Sequence, residues 1–222
     1  MLLEKPLRLL AIGAHPDDIE LGAGGLIYKL KKEHPDTHVD FLILTHGVHR
    51  RDDMTYSEGT RHNESIKAAA ILGISEEHVE VLDFPDCGLH AKGHELIRAI
   101  ERKVNSPSDP YTVVLTHSGS DTHADHRETH EASISATRYF GGTVLLYPAP
   151  STKPNEFQPT LFAKLEEDAV QCKNRALHEH ASQRDKPFMK PSRTAGLGAS
   201  WIEFLRLDVP FVEPFEVFKG FL

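Results

Sequence analysis

At 222 residues, 39% hydrophobic and 26% charged, the chain has globular composition and is long enough to bury a substantial core. It contains no apolar run of the roughly eighteen residues that a membrane-spanning helix needs, so no membrane association is expected. Its 25 basic against 33 acidic residues leave a net charge of −8, which repels polyphosphate backbones and argues against nucleic acid as a partner.

The opening, MLLEKPLRLLAIGAHPDD, has neither the basic region nor the uninterrupted apolar stretch of a secretory signal, and a cytoplasmic protein is expected. Short apolar runs at Leu7–Ala14, Val39–Thr45, Val79–Phe84, Thr112–Thr116 and Thr143–Tyr147 read as buried strands. Helical patterns lie between them, at Ile19–Glu33, Gly59–Leu72, Gly93–Asn105 and Asp125–Tyr139, with Gly73 and Pro107 as stop signals. This alternation predicts an α/β fold with a mostly parallel sheet flanked by helices, and ligands outside the carboxyl ends of the strands. Cys87 and Cys172 form no C-x-x-C pattern, which fits a reducing compartment and excludes a zinc finger. Residues 1–150 thus form a βα core, and 151–222 an extension of the same single domain. In the extension, Leu161–Gln183 reads as a polar helix, and Trp201–Val209 and Phe215–Phe218 read as short strands. Nothing in the sequence excludes a homo-oligomer.

The first strand ends in Gly13-Ala14-His15-Pro16-Asp17-Asp18, where a dinucleotide-binding fold would carry its glycine fingerprint. Two carboxylates at a helix start suit the macrodipole but repel a pyrophosphate, so the turn calls for a cation. His15 and Asp18, three residues apart, can reach one metal ion together and leave Asp17 free to act as a base. The competing reading makes Asp17 or Asp18 a helix cap and His15 incidental. Gly22, Gly24 and Gly25 lie inside the helix and suit close packing better than phosphate binding.

The fourth strand ends at Thr116-His117 and leads through Asp121-Thr122-His123-Ala124-Asp125-His126 into the next helix. If strands one and four are neighbours, His126 completes a His, Asp, His site with His15 and Asp18, with a position open to water. His126 and His130 at i, i+4 spacing offer an alternative pair, but Glu128 stands in the wrong order for the H-E-x-x-H pattern. His117 and His130 themselves read as hydrated polar residues. The 15 histidines therefore matter through this spacing rather than through their number.

Ala14-His15-Pro16-Asp17-Asp18 and His123-x-Asp125-His126 resemble the LmbE-like, or PIG-L, family of metal-dependent N-acetylglucosaminyl de-N-acetylases. Arg61-x-x-Glu64, Phe84-Pro85-Asp86, Lys173-x-x-Ala176, Ser182-Gln183 and Glu213-x-Phe215 echo it more weakly. The resemblance implies a Rossmann-like fold in which His15, Asp18 and His126 bind zinc, or another divalent transition metal, and Asp17 is the general base. It further implies that His123 assists the tetrahedral intermediate, that Asp125 orients His123, and that Arg61 and Asp86 contact substrate.

The expected activity is removal of an N-acetyl group from a small-molecule amino sugar or glycoside. A metal-dependent hydrolase of another ester or N-acyl substrate is the alternative, and a non-catalytic nucleotide-binding module a more remote one. Gly47–Gly59 and Lys186–Ser200 are expected to wall the pocket, with Arg50, Arg51, Arg193 and Trp201 available to a sugar.

Overall fold

The computed structural model describes residues 7–48, 57–105, 110–194 and 196–220. The five strands expected in the first two-thirds are β1 (Arg8–Gly13), β2 (His38–Thr45), β3 (Val79–Phe84), β4 (Val113–His117) and β5 (Thr143–Tyr147). The helices that separate them are α1 (Asp18–Glu33), α2 (Glu58–Ile71), α3 (Gly93–Val104) and α4 (Ala124–Ala136). Beyond them come β6 (Leu161–Leu165), α5 (Glu167–His178), α6 (Pro191–Thr194), α7 (Gly196–Phe204) and β7 (Phe211–Lys219).

One seven-stranded sheet runs in the order β3-β2-β1-β4-β5-β7-β6. β1 to β5 are parallel, and β7 is antiparallel to both β5 and β6. The central strands are buried on both faces, which explains why they read as continuous apolar runs rather than as alternation. Successive residues of β1 still divide between faces: Leu9 and Ala11 pack with α1, α2 and α5, whereas Leu10 and Ile12 pack with α3 and α4. The chain winds outward from β1 to β3 and then returns to place β4 on the other side of β1. The β1–β4 boundary is therefore the switch point, and the two motif-bearing loops emerge side by side at its carboxyl end.

The extension departs from the expected pattern in two places. The start of the supposed helix Leu161–Gln183 is strand β6, which pairs residue for residue with β7. That partner is remote in sequence, so local periodicity could not reveal it. The supposed strand beginning at Trp201 is instead the end of α7. This helix approaches β7 so closely that a Cβ on Gly198 would lie 2.0 Å from the Val212 carbonyl oxygen. Packing against the sheet thus overrides the strand preference of Trp201, Ile202 and Phe204.

α1 makes a similar close approach. A Cβ on Gly22 would lie 2.1 Å from Tyr147 Cδ2, and one on Gly25 would lie 2.4 Å from Leu165 Cδ1, whereas one on Gly24 would meet only ordinary contacts, beginning at 3.4 Å. Gly22→Ala is expected to cost about 1–3 kcal/mol in urea unfolding through overpacking. Gly24→Ala should be neutral or gain up to about 1 kcal/mol of helix propensity. Equal midpoints for the two variants would contradict the close approach of α1 to Tyr147.

Candidate active site

His15 and Asp18 leave the end of β1, while His117 ends β4 and His123 and His126 open α4. His15, His117 and His126 converge on the Asp18 carboxylate. Asp18 Oδ2 accepts the His15 backbone N–H at 2.7 Å, which fixes the side chain across its own turn. The same oxygen lies 3.3 Å from His15 Nδ1 and 3.2 Å from His117 Nε2, and Oδ1 lies 3.3 Å from His126 Nε2. Charge-assisted hydrogen bonds are shorter, roughly 2.7–2.9 Å. Two atoms in the shell of one tetrahedral ion, at bonds of about 2.0–2.1 Å, stand about 3.3 Å apart, and each contact taken singly is near that spacing, with His15 and His126 facing different oxygens of Asp18. The His15 and His126 rings are 5.4 Å apart between centroids, and the ligand atoms that lie within 4.8 Å of one another are those of His15, His123 and His126 and those of Asp18, His117 and His126.

The surrounding groups fix ring orientation. His126 Nδ1 faces Asp121 Oδ2 at 3.2 Å, which leaves Nε2 turned toward Asp18. Asp121 is itself held by the His123 backbone N–H and the Thr152 hydroxyl. Burial disfavours a charged His126 ring, but the Asp18 charge and the contacts with Asp121 and Asp18 outweigh it and push its pKa up to about 9. Asp18 is also buried, and the His126 charge together with the contacts to His126 and His117 more than compensates, holding it well below the usual carboxylate range.

His117 was expected to be hydrated and is instead fully buried, stacked on His126 at 4.1 Å. Its Nε2 accepts the Ala14 N–H, and burial, reinforced by the His126 charge, lowers its pKa to about 4. It is thus a neutral wall whose lone pair is already engaged. Its role was not legible because it reads as the last residue of an ordinary buried strand. Asp121 is not legible for a similar reason, since its partner His126 is set by the fold of the loop. His130 turns to the His117 carbonyl, so it does not pair with His126 at a metal.

Asp17 occupies the N-cap position of α1, yet its side chain makes no capping hydrogen bond, and its φ is 102°. The capping reading therefore fails for this residue. Positive φ outside glycine costs on the order of 1–3 kcal/mol and marks a position held by its surroundings. Arg61 supplies the hold: Nη2 donates to the Pro16 carbonyl at 2.7 Å and lies 3.8 Å from Asp17 Oδ2. Burial raises the Asp17 pKa to about 6, against the opposing pull of Arg61.

Two expected side-chain relations change. Arg61 is only 2% exposed and also donates to Ser182, so it braces the Asp17 turn from inside rather than meeting a ligand from solvent. Asp125 does not orient His123: Oδ2 lies 3.3 Å from His15 Nε2, and the carboxylate accepts the Cys87 and Leu89 backbone N–H groups. His123 Nδ1 is buried without a protein partner. The His123 ring stands 4.9 Å from His15 and 4.6 Å from His126. Asp86 does reach the crevice, with Oδ1 3.2 Å from His15 Nε2. Trp201 packs on Phe162 at the β6 edge, away from the crevice, and Arg193 is exposed on α6. Arg50 and Arg51 lie outside the described residues.

Buried carboxylates and imidazoles at the switch point of a parallel sheet define an α/β enzyme crevice able to hold a divalent metal. The family model described as PIG-L, GlcNAc-PI de-N-acetylase, matches residues 10–137. The chain is 34% identical over 178 residues to an uncharacterized deacetylase, YaiS, of Escherichia coli K12, covering 78% of this chain and 90% of that protein. It is 31% identical over 144 residues to a diacetylchitobiose deacetylase of Thermococcus kodakarensis, covering 60% of this chain and 50% of that one. The crystal structure of a conserved protein from Thermus thermophilus, TT1542, superposes with a TM-score of 0.76 at 25% identity, over 97% of this chain and 96% of that one. The chain belongs to the PIG-L family of de-N-acetylases, and it is a deacetylase. This removes the nucleotide-binding module from consideration. Among the described residues, no helix is long and apolar enough to cross a membrane.

The raised pKa of His126 keeps a proton on this ring at neutral pH, so an ion that takes the ring as a ligand must displace it. Chelator-stripped protein should release protons on adding zinc ion, and its apparent affinity should rise with pH, by up to about tenfold per unit, until about pH 9. Calorimetry in buffers of different ionisation enthalpy measures this, and proton-neutral uptake near pH 7 would contradict it.

Proposed function

We propose that this deacetylase is a zinc-dependent hydrolase that removes the acetyl group from the nitrogen of an N-acetylglucosamine-type amino sugar or glycoside, releasing acetate and a free amine. The observation that carries the reading is the contrast between Asp17 and Asp18: adjacent carboxylates, one ringed by imidazoles, the other uncapped with a pKa of about 6. That contrast separates a ligand from a base.

His15, Asp18 and His126 would hold the ion, since the His117 lone pair is engaged by Ala14. Bound there, a divalent ion lowers the pKa of water toward about 7 and polarises an amide carbonyl. Asp17 takes the proton of the attacking water, and a pKa near 6 leaves it ionised at neutral pH yet able to give that proton up again. His123, at the mouth beside His15 and His126, donates toward the oxyanion or the leaving amine. Asp125 orients His15 through Nε2, and Arg61 keeps the Asp17 turn in its strained conformation. Asp86, beside His15, is the side chain offered to a sugar hydroxyl. The amino-sugar substrate is supported by the family description and by the name of the T. kodakarensis relative.

Acetate release from a panel of N-acetylated glycosides, with and without chelator, tests the substrate. Activity confined to esters or to longer N-acyl groups would favour the other hydrolase reading. Asp17→Asn and His123→Ala should retain metal while losing on the order of 10²- to 10⁴-fold in kcat. His15→Ala and His126→Ala should lose the metal itself. The acid limb of kcat/KM should fall below about pH 6 as Asp17 takes up a proton, and it should vanish in Asp17→Asn. Unchanged turnover in Asp17→Asn would remove the proposed base.

A further inference from the structure

A second set of metal-ligating side chains stands at the opposite end of the sheet. His38 and Asp40 are the first and third residues of β2, so their side chains share one face of the strand. His78 ends the 3-10 turn Glu76–His78 that feeds β3, the parallel neighbour of β2. His38 Nε2 lies 2.8 Å from Asp40 Oδ2, and His78 Nδ1 lies 3.0 Å from Asp40 Oδ1. The two rings meet edge to face at 4.3 Å. One nitrogen from each ring and one carboxylate oxygen all fall within 4.8 Å of one another. The Tyr111 hydroxyl donates to Asp40 Oδ2 at 2.7 Å, which orients the carboxylate from outside the trio as an outer-shell partner would. A cavity of about 230 Å³ opens beside His38 and His78. The lysine that lines this cavity, Lys31, turns its ammonium to the Thr37 carbonyl at 2.9 Å.

We propose that His38, Asp40 and His78 form a second metal site, independent of the catalytic one, that takes a divalent transition ion and leaves a coordination position facing the cavity. Two imidazoles and one carboxylate favour zinc, nickel or copper over magnesium or calcium, which prefer all-oxygen shells. Admitting an ion requires the present contacts to open to about 3.3 Å. The rings can rotate that far because His38 and His78 are 26% and 33% exposed, while Asp40 is fixed by Tyr111. The site shares no residue with the crevice. From Asp40 to Thr45 at the other end of β2 is roughly 17 Å at about 3.3 Å per residue, too far for one ion to serve both. A metal here would tie the approach to β3, the sheet's edge strand, to β2.

Metal stoichiometry of the chelator-stripped full chain tests the proposal, with zinc ion alone as the probe and cobalt ion as a spectroscopic substitute. Wild-type protein should bind about two ions and His78→Ala about one, with acetate release within about twofold of wild type. Asp18→Asn should lose the other ion and still show the visible absorbance of bound cobalt, and that band should disappear in the Asp18→Asn/His78→Ala double variant. His38→Ala provides a second disruption of the trio and should match His78→Ala. The proposal is overturned if His78→Ala and His38→Ala bind as many ions as wild type, or if Asp18→Asn binds none. Failure of the catalytic reading would look different, because Asp18→Asn would then keep both ions while His78→Ala still lost one.

Discussion

Asp17 and Asp18 are buried side by side at one helix start, and the architecture around them compensates that charge. Burying an ionised carboxylate costs several kcal/mol, whereas a helix N-terminus returns only about 0.3–1 kcal/mol at ordinary sites, so the dipole of α1 cannot carry two. The rest is supplied unequally. Asp18 has His15, His117 and His126 within 3.3 Å, and its pKa falls. Asp17 has the Arg61 guanidinium at 3.8 Å, and its pKa rises. Two identical side chains thereby acquire opposite proton affinities from surroundings alone, the condition under which one can serve as a ligand and the other as a base.

The C-terminal extension maintains this inequality from behind. Lys173 on α5 bonds to the Leu21 carbonyl and to Glu213 on β7, and Glu213 accepts the Gly25 and Leu26 backbone N–H groups of α1. This buried ion pair locks the helix whose first turn carries both aspartates. Glu64 on α2 accepts from the Ser182 backbone and hydroxyl, and Ser182 in turn accepts from Arg61. The turn after α5 thus holds the guanidinium that holds Asp17. Removing one partner from such a pair leaves an uncompensated buried charge, so the extension is coupled to the site although it contributes no candidate ligand.

This division explains how much could be read from the sequence. The five parallel strands and four helices were legible because each is a continuous apolar run or an amphipathic stretch bounded by turn residues. The two motif loops were legible as neighbours because strand-to-helix loops share the carboxyl edge of a parallel sheet. β6 and α7 were not legible, since each takes its conformation from β7 rather than from its own residues. Within the crevice, the residue types at His15, Asp17, Asp18 and His126 announced themselves by spacing. His117, Asp121 and the true partner of Asp125 did not, because those roles depend on which atoms the loops bring together. Arg61 shows the same limit: the family resemblance implied a substrate contact, and only the fold shows a buried guanidinium bonded to Pro16 and Ser182.

With Arg61 turned inward, the crevice has a second wall from which a side chain reaches His15. That wall is the turn after β3, where Asp86 touches His15 and Cys87 sits at a φ of 58° with its N–H given to Asp125. Asp125 therefore links His15 to the turn that carries Asp86, so the His15 ring and that turn share one carboxylate. The only non-glycine residues with positive φ at the described crevice are Asp17, two residues along the chain from His15, and Cys87, joined to His15 through Asp125. Strain of this kind persists only where surrounding bonds over-determine the backbone, and here those bonds are the Arg61 contact to Pro16 and the Asp125 contact to Cys87. Each brace reaches a different wall, so a substitution at Arg61 should disturb the Asp17 turn, and one at Asp125 the His15 ring and the turn after β3 together.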